Sequence, residues 1–156
     1  MLRVSKLTDY ATVILTHIAH QPDTVHAASD ITVETGITLP TVSKILKLLA
    51  KNGILISRRG AKGGYVLAKK TNETHVAEII VAIEGPISMT ECTTDESSCE
   101  QESSCEIKAN WNLINRAVYT ALKAVTLADL LAPVSQQAVA ISWPLVAKTN
   151  DLKVET

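Results

Sequence analysis

Three observations predict a mainly α-helical fold with one small hairpin. Apolar residues recur at helical spacing in several windows, aromatic residues are scarce, and a basic, glycine-rich turn separates two short strand-like runs. With 46% hydrophobic residues but no Phe, two Trp and three Tyr, the core must be built from Leu, Ile, Val and Ala. Such aliphatic stripes favour packing of helix on helix.

The elements follow in order. Ala11, Ile14, Leu15 and Ile18 recur as one face of a first helix over Thr8 to His20, which Gln21-Pro22-Asp23 ends. A shorter helix runs from about Ala27 to Thr35, with Ile31 and Val33 as its apolar members, and Gly36 supplies the next turn. The third helix, Leu39 to Lys51, has Thr38 as its cap and Pro40 in the first turn, where a missing N–H costs nothing. Its Val42, Ile45, Leu46 and Leu49 point inward at i, i+3, i+4 and i+7. That leaves Thr41, Ser43, Lys44 and Lys47 facing outward.

Asn52-Gly53 stops this helix. ILIS (Ile54 to Ser57) and YVLA (Tyr65 to Ala68) then form two strands around the turn Arg58-Arg59-Gly60-Ala61-Lys62-Gly63-Gly64. A helix over Val76 to Glu84, with Val76, Ile79, Ile80 and Ile83 apolar, is broken by Gly85-Pro86. A long helix from Ile107 to Thr126 carries Trp111, Ile114, Val118, Leu122 and Val125 at steps of three and four, the spacing of a helix-pairing seam. The tail from Ala132 to Thr156 has no period, and Trp143-Pro144 interrupts it.

The net charge of -1 hides a division. Residues 1–70 hold ten Lys/Arg against four Asp/Glu, whereas residues 71–156 hold five against twelve. The front half therefore suits a polyanion and the back half repels one. No apolar run has the length of a membrane span, and MLRVSKLTDY lacks a signal peptide's apolar stretch, so the expectation is a cytoplasmic protein with no membrane partner.

Helix, helix, glycine turn, outward-polar helix and basic hairpin, in that order, make a winged helix-turn-helix DNA-binding domain over 1–70. In such a domain the second helix of the pair enters the major groove, and Thr41, Ser43, Lys44 and Lys47 are placed to meet bases and phosphates there. Arg58, Arg59 and Lys62 give the wing three cations for phosphates or a narrow minor groove. Lysines on a polar helix face are usually just solvated; the wing and the basic bias together favour DNA.

All three cysteines fall within ECTTDESSCEQESSCEIK, residues 91–108, an acidic, Ser/Thr-rich stretch in which ESSCE occurs twice. Cys92, Cys99 and Cys105 are spaced C-x6-C-x5-C, too loosely for a C-x2-C zinc knuckle and suited to a loop wrapping an iron–sulfur cluster. The bland reading is three unrelated exposed thiols, but reduced cysteines among carboxylates have no packing reason to be there. An odd cysteine count in a reducing compartment also argues against a disulfide framework. A cluster takes four ligands as a rule, so the fourth must be Asp, Glu, His or a small molecule. His17, His26 and His75 read more simply as surface or packed residues.

Taken together, RVSKLTDYA (Arg3 to Ala11), LPTVSKILKLLAKNGIL (Leu39 to Leu55), RRGAKGGYVLA (Arg58 to Ala68), AEIIVAIEGP (Ala77 to Pro86) and the three cysteines resemble the winged-helix iron–sulfur regulators of the IscR and NsrR family. Within it, the likeness is to the branch regulating SUF-system iron–sulfur cluster assembly, and it covers about residues 1–131. The resemblance implies a homodimer paired through the helix from Ile107, with Cys92, Cys99 and Cys105 as cluster ligands in a connecting and cluster-binding region over 71–131. IscR-like members complete the set with a histidine where this chain has Lys108. NsrR-like members use an N-terminal aspartate of the partner subunit, and the matching residue is Asp9, which also fits a first-turn residue favoured by the helix dipole. The expectation is a 2Fe-2S cluster, although family members with similar loops carry either 2Fe-2S or 4Fe-4S centres.

The sequence thus reads as a non-enzymatic, cluster-dependent repressor of iron–sulfur assembly genes, binding a palindromic operator in double-stranded DNA. Its rivals are a nitric-oxide or oxidant sensor using the same cysteines, a zinc-structured DNA-binding protein, and a small redox enzyme or cluster carrier. Against the last stand the wing and the lack of an acid–base constellation.

Overall fold

A computed structural model describes residues 4–60, 62–90 and 107–133. The order is α1 (Lys6–His20), α2 (Ala28–Thr35), α3 (Leu39–Lys51), β1 (Leu55–Arg58), β2 (Gly64–Leu67), a 3₁₀ turn (Thr71–Glu73), α4 (Val76–Glu84), α5 (Lys108–Lys123) and α6 (Leu127–Leu131). The helical class and the single hairpin agree with the periodicities. The three cysteines and the tail from residue 134 lie outside the described residues.

The core is aliphatic. Ala11, Ile14, Leu15 and Ile18 of α1 meet Ile31 of α2 and Val42, Ile45, Leu46 and Leu49 of α3, all fully buried. Each Leu or Ile removed from water contributes about 1.5–3 kcal/mol before entropy is charged against it. Ile79 and Ala82 of α4 and Leu127 of α6 join the same cluster, so the core runs across residue 70 without a break.

Several expectations change in detail. Val33 does not share the buried face of Ile31; it is 80% exposed, because residues two apart on a helix point some 200° apart. In α4 the buried side chains are Ala77, Ile79 and Ala82, with Val76, Ile80 and Ile83 half-buried. Arg58 belongs to the ladder rather than to the turn: Leu55 pairs with Leu67, Ile56 with Val66, Ser57 with Tyr65 and Arg58 with Gly64.

A third extended segment joins the hairpin. His26 and Tyr65 exchange backbone hydrogen bonds of 3.0 and 2.9 Å, which lays the stretch before α2 against β2. Gly64 permits the approach, since a Cβ there would stand 2.4 Å from the His26 carbonyl oxygen. The wing is thereby tied to the loop between α1 and α2.

The expected long helix stops at Lys123, and a separate α6 begins after Thr126. Backbone bonds decide the break: the Val76 N–H donates to the Val125 carbonyl at 2.9 Å, and the Leu127 N–H donates to the Thr74 carbonyl at 2.8 Å. These bonds hold residues 125–127 extended beside the start of α4. Thr126 and Asp129 form a reciprocal capping box that starts the new helix, and these hydrogen bonds lower the Asp129 carboxyl below its ordinary pKa.

Candidate nucleic-acid interface

With its apolar side in the core, α3 presents the opposite side to solvent. Lys44, Lys47 and Lys51 are exposed there, and Thr41 and Ser43 are half-buried at the margin. Pro40, Ser43, Lys44, Lys47, Leu48 and Lys51 line a shallow depression of about 510 Å³ along the helix. Thr38 occupies the cap position as expected, but its hydroxyl lies 3.0 Å from the Thr41 hydroxyl and meets no backbone N–H.

Arg58, Arg59 and Lys62 on the wing are also exposed. The ion pair found among the described residues joins Lys69 to Glu78 at 3.4 Å, so no carboxylate neutralises the α3 lysines or the wing cations there. Unpaired cations on a helix and its adjoining wing are the electrostatic footprint of a phosphate-binding surface.

A second set of contacts lies where the chain leaves α4 for the cysteine stretch. The Glu84 carboxylate accepts from the Ser5 N–H at 2.9 Å and closely from the Thr8 hydroxyl. Its pKa is lowered, first by the Thr8 hydroxyl and then by the Ser5 N–H, with desolvation opposing. Five residues on, the Met89 N–H donates to the Asn115 side-chain oxygen of α5 at 3.0 Å. The segment leading to Cys92 is therefore pinned to α1 at one end and to α5 at the other.

Neither anchor was among the residues singled out from sequence. A signal for Glu84 existed, because an acid at the last position of a helix opposes the macrodipole and needs another reason to be there. Asp9, in the first turn of α1, is exposed, and its carboxylate makes no hydrogen bond or ion pair among the described residues. It sits one residue from Thr8. An exposed carboxylate with no partner among the described residues is open to serve as the oxygen ligand that three cysteines leave missing, and the cysteines themselves lie outside the described residues.

Comparison with known proteins decides what this arrangement belongs to. Residues 4–133 match Rrf2, a family described as iron-dependent transcriptional regulators. The chain belongs to the Rrf2 family. This Rrf2 member is 30% identical over 135 residues to Protein rrf2 of Nitratidesulfovibrio vulgaris, covering 86% of this chain and 90% of that one. It is 28% identical over 131 residues to the HTH-type transcriptional regulator IscR of Yersinia pseudotuberculosis, covering 83% and 79%. Among solved structures it resembles CymR, the global cysteine regulator of B. subtilis, with a TM-score of 0.62, 28% identity, and coverage of 84% of this chain and 97% of that one.

The expected winged-helix fold and the likeness to IscR-type regulators thus hold, and the protein is a DNA-binding transcription regulator rather than an enzyme. No helix among the described residues is long and apolar enough to cross a membrane.

Proposed function

We propose that this Rrf2 regulator controls iron–sulfur cluster assembly genes as a repressor and reads cluster occupancy or oxidation state through Cys92, Cys99, Cys105 and Asp9 of the partner subunit. The expected centre is 2Fe-2S. The observation that carries the reading is the double anchoring of the segment that leads into the cysteine stretch, by Glu84 to the start of α1 and by Met89 to Asn115 of α5. A segment that changes its order on ligation would pull on both the DNA-binding module and the helix proposed to pair two subunits.

When bound, the cluster supplies multivalent ligation, which offsets the entropy of ordering a stretch rich in Ser, Thr and carboxylates. The chain's own residues do the rest. Glu84 ties the segment to the helix that packs on α2 and α3. On α5, Ile114 is 42% exposed and Trp111, Val118 and Leu122 are half-buried, so Ile114 would lead the contact with a second copy. Pairing along it would set the separation of two α3 helices, which must match palindromic half-sites roughly 34 Å apart.

The test is anaerobic purification followed by a visible spectrum and counts of iron and acid-labile sulfide. Coloured protein with bound iron and sulfide, bleached by replacing any of the three cysteines with alanine, is the expected result. Colourless protein holding zinc would assign the cysteines to a structural metal. Colourless, metal-free protein that responds to oxidants would assign them to direct thiol chemistry. Either outcome would remove the cluster from the account.

A further inference from the structure

We infer that Leu39 reads the 5-methyl group of a thymine in each DNA half-site and sets the sequence preference there, an inference that rests on α3 being the groove-entering helix. The side chains of α3 that can touch a base edge are few. LPTVSKILKLLAK contains no Arg, Asn, Gln, Asp or Glu. It therefore lacks the forks that read guanine or adenine bidentately and the carboxylates that accept from cytosine. Its lysines can reach guanine or phosphate; what remains to distinguish bases is hydroxyl and apolar contact.

Leu39 is the first residue of the helix, at the end where groove-reading helices contact base edges. It is 48% exposed and does not belong to the aliphatic residues packed on the core. Pro40 beside it is exposed and offers no N–H, which extends an apolar leading edge. The Thr38 and Thr41 hydroxyls face each other at 3.0 Å, so part of the tip's hydrogen-bonding capacity is spent internally. In the major groove the methyl of thymine is the apolar group such an edge can bury.

The test begins with the full-length protein selecting from a random pool of duplexes, once after anaerobic iron and sulfide reconstitution and once without it. Each thymine of the enriched sequence is then replaced singly by deoxyuridine, which removes only the methyl. One thymine per half-site is expected to cost about fourfold in affinity on replacement, the value of one buried methyl group. Leu39→Ala should bind the thymine and uracil duplexes equally at that position, while its melting temperature and its affinity for unselected duplex stay at the wild-type values.

Wild-type protein indifferent to uracil at every position would overturn the inference, as would Leu39→Ala protein that keeps the discrimination. Enrichment of a sequence in either case leaves DNA recognition standing and removes only the role of Leu39. Failure to enrich any sequence would contradict groove reading by α3, and the inference with it. The outcome is independent of the cluster, because the selection is run in both states.

Discussion

α3 and α5 are both amphipathic, and they leave opposite faces unused. The apolar face of α3 is consumed by the core: Val42, Ile45, Leu46 and Leu49 are fully buried, and the face left over is hydroxyl and lysine apart from Leu39 and Pro40 at its leading end. None of the residues of α5 with described side chains is buried, and Leu113 and Ile114 are 63% and 42% exposed. One helix has satisfied its hydrophobic demand within the chain and offers charge outward. The other offers apolar surface, which a soluble protein covers with a partner. The difference puts two kinds of surface on one small molecule, a charged one at α3 and an apolar one at α5.

The largest effect expected from this contrast is Leu46→Ala. It removes a fully buried side chain and should cost about 2–5 kcal/mol of stability in chemical denaturation. A loss well under 1 kcal/mol would mean the α3 core is not as described. Next comes Ile114→Asp, which should weaken self-association on the order of a hundredfold in sedimentation equilibrium while leaving the fold of each subunit intact. An undiminished dimer would move the pairing surface away from α5.

A smaller change is expected from Lys47→Ala. Affinity should fall across all DNA sequences, and the dependence of log affinity on log salt should flatten by about 0.9, the share of one phosphate contact. A sequence-selective loss would instead make Lys47 a base reader. The smallest effect is on Glu84. Its folded pKa is lowered, so its contribution is present above the ordinary carboxylate value and is lost as pH falls through the lowered one. Glu84→Gln should remove that acid-side dependence from the melting curve, and an unchanged pH profile would show that the carboxylate does not hold α1.

Much of this was legible in the sequence because the signals were periodic. α1, α3 and the hairpin announced themselves by stripes, a proline at the helix start and a glycine-rich basic turn. α6 was hidden because Leu122 and Val125 continue the spacing of α5, and only the Thr126-x-x-Asp129 capping pattern marks the break. Val33 shows the limit of counting apolar residues on a two-turn helix without asking which way they point. The third extended segment, the bridge from His26 to Tyr65, depends on two stretches almost forty residues apart and leaves no local trace.

At the candidate site the outcome divides in the same way. Lys44, Lys47, Arg58, Arg59 and Lys62 are exposed on the elements expected to carry them. The anchors Glu84 and Asn115 were invisible because their partners, Thr8 and the Met89 N–H, are brought to them by tertiary packing. The cysteine spacing stays a sequence-level observation.

The most direct measurement of the central claim is the ratio of affinities for one selected DNA duplex, taken anaerobically for iron- and sulfide-reconstituted wild type and for the variant with Cys92, Cys99 and Cys105 all replaced by alanine. A switch working through the anchored segment predicts a ratio of about 5 to 150, since regulatory couplings are typically worth that much. Equal affinities at several salt concentrations would contradict it, and the acidic segment would then carry no message to α3.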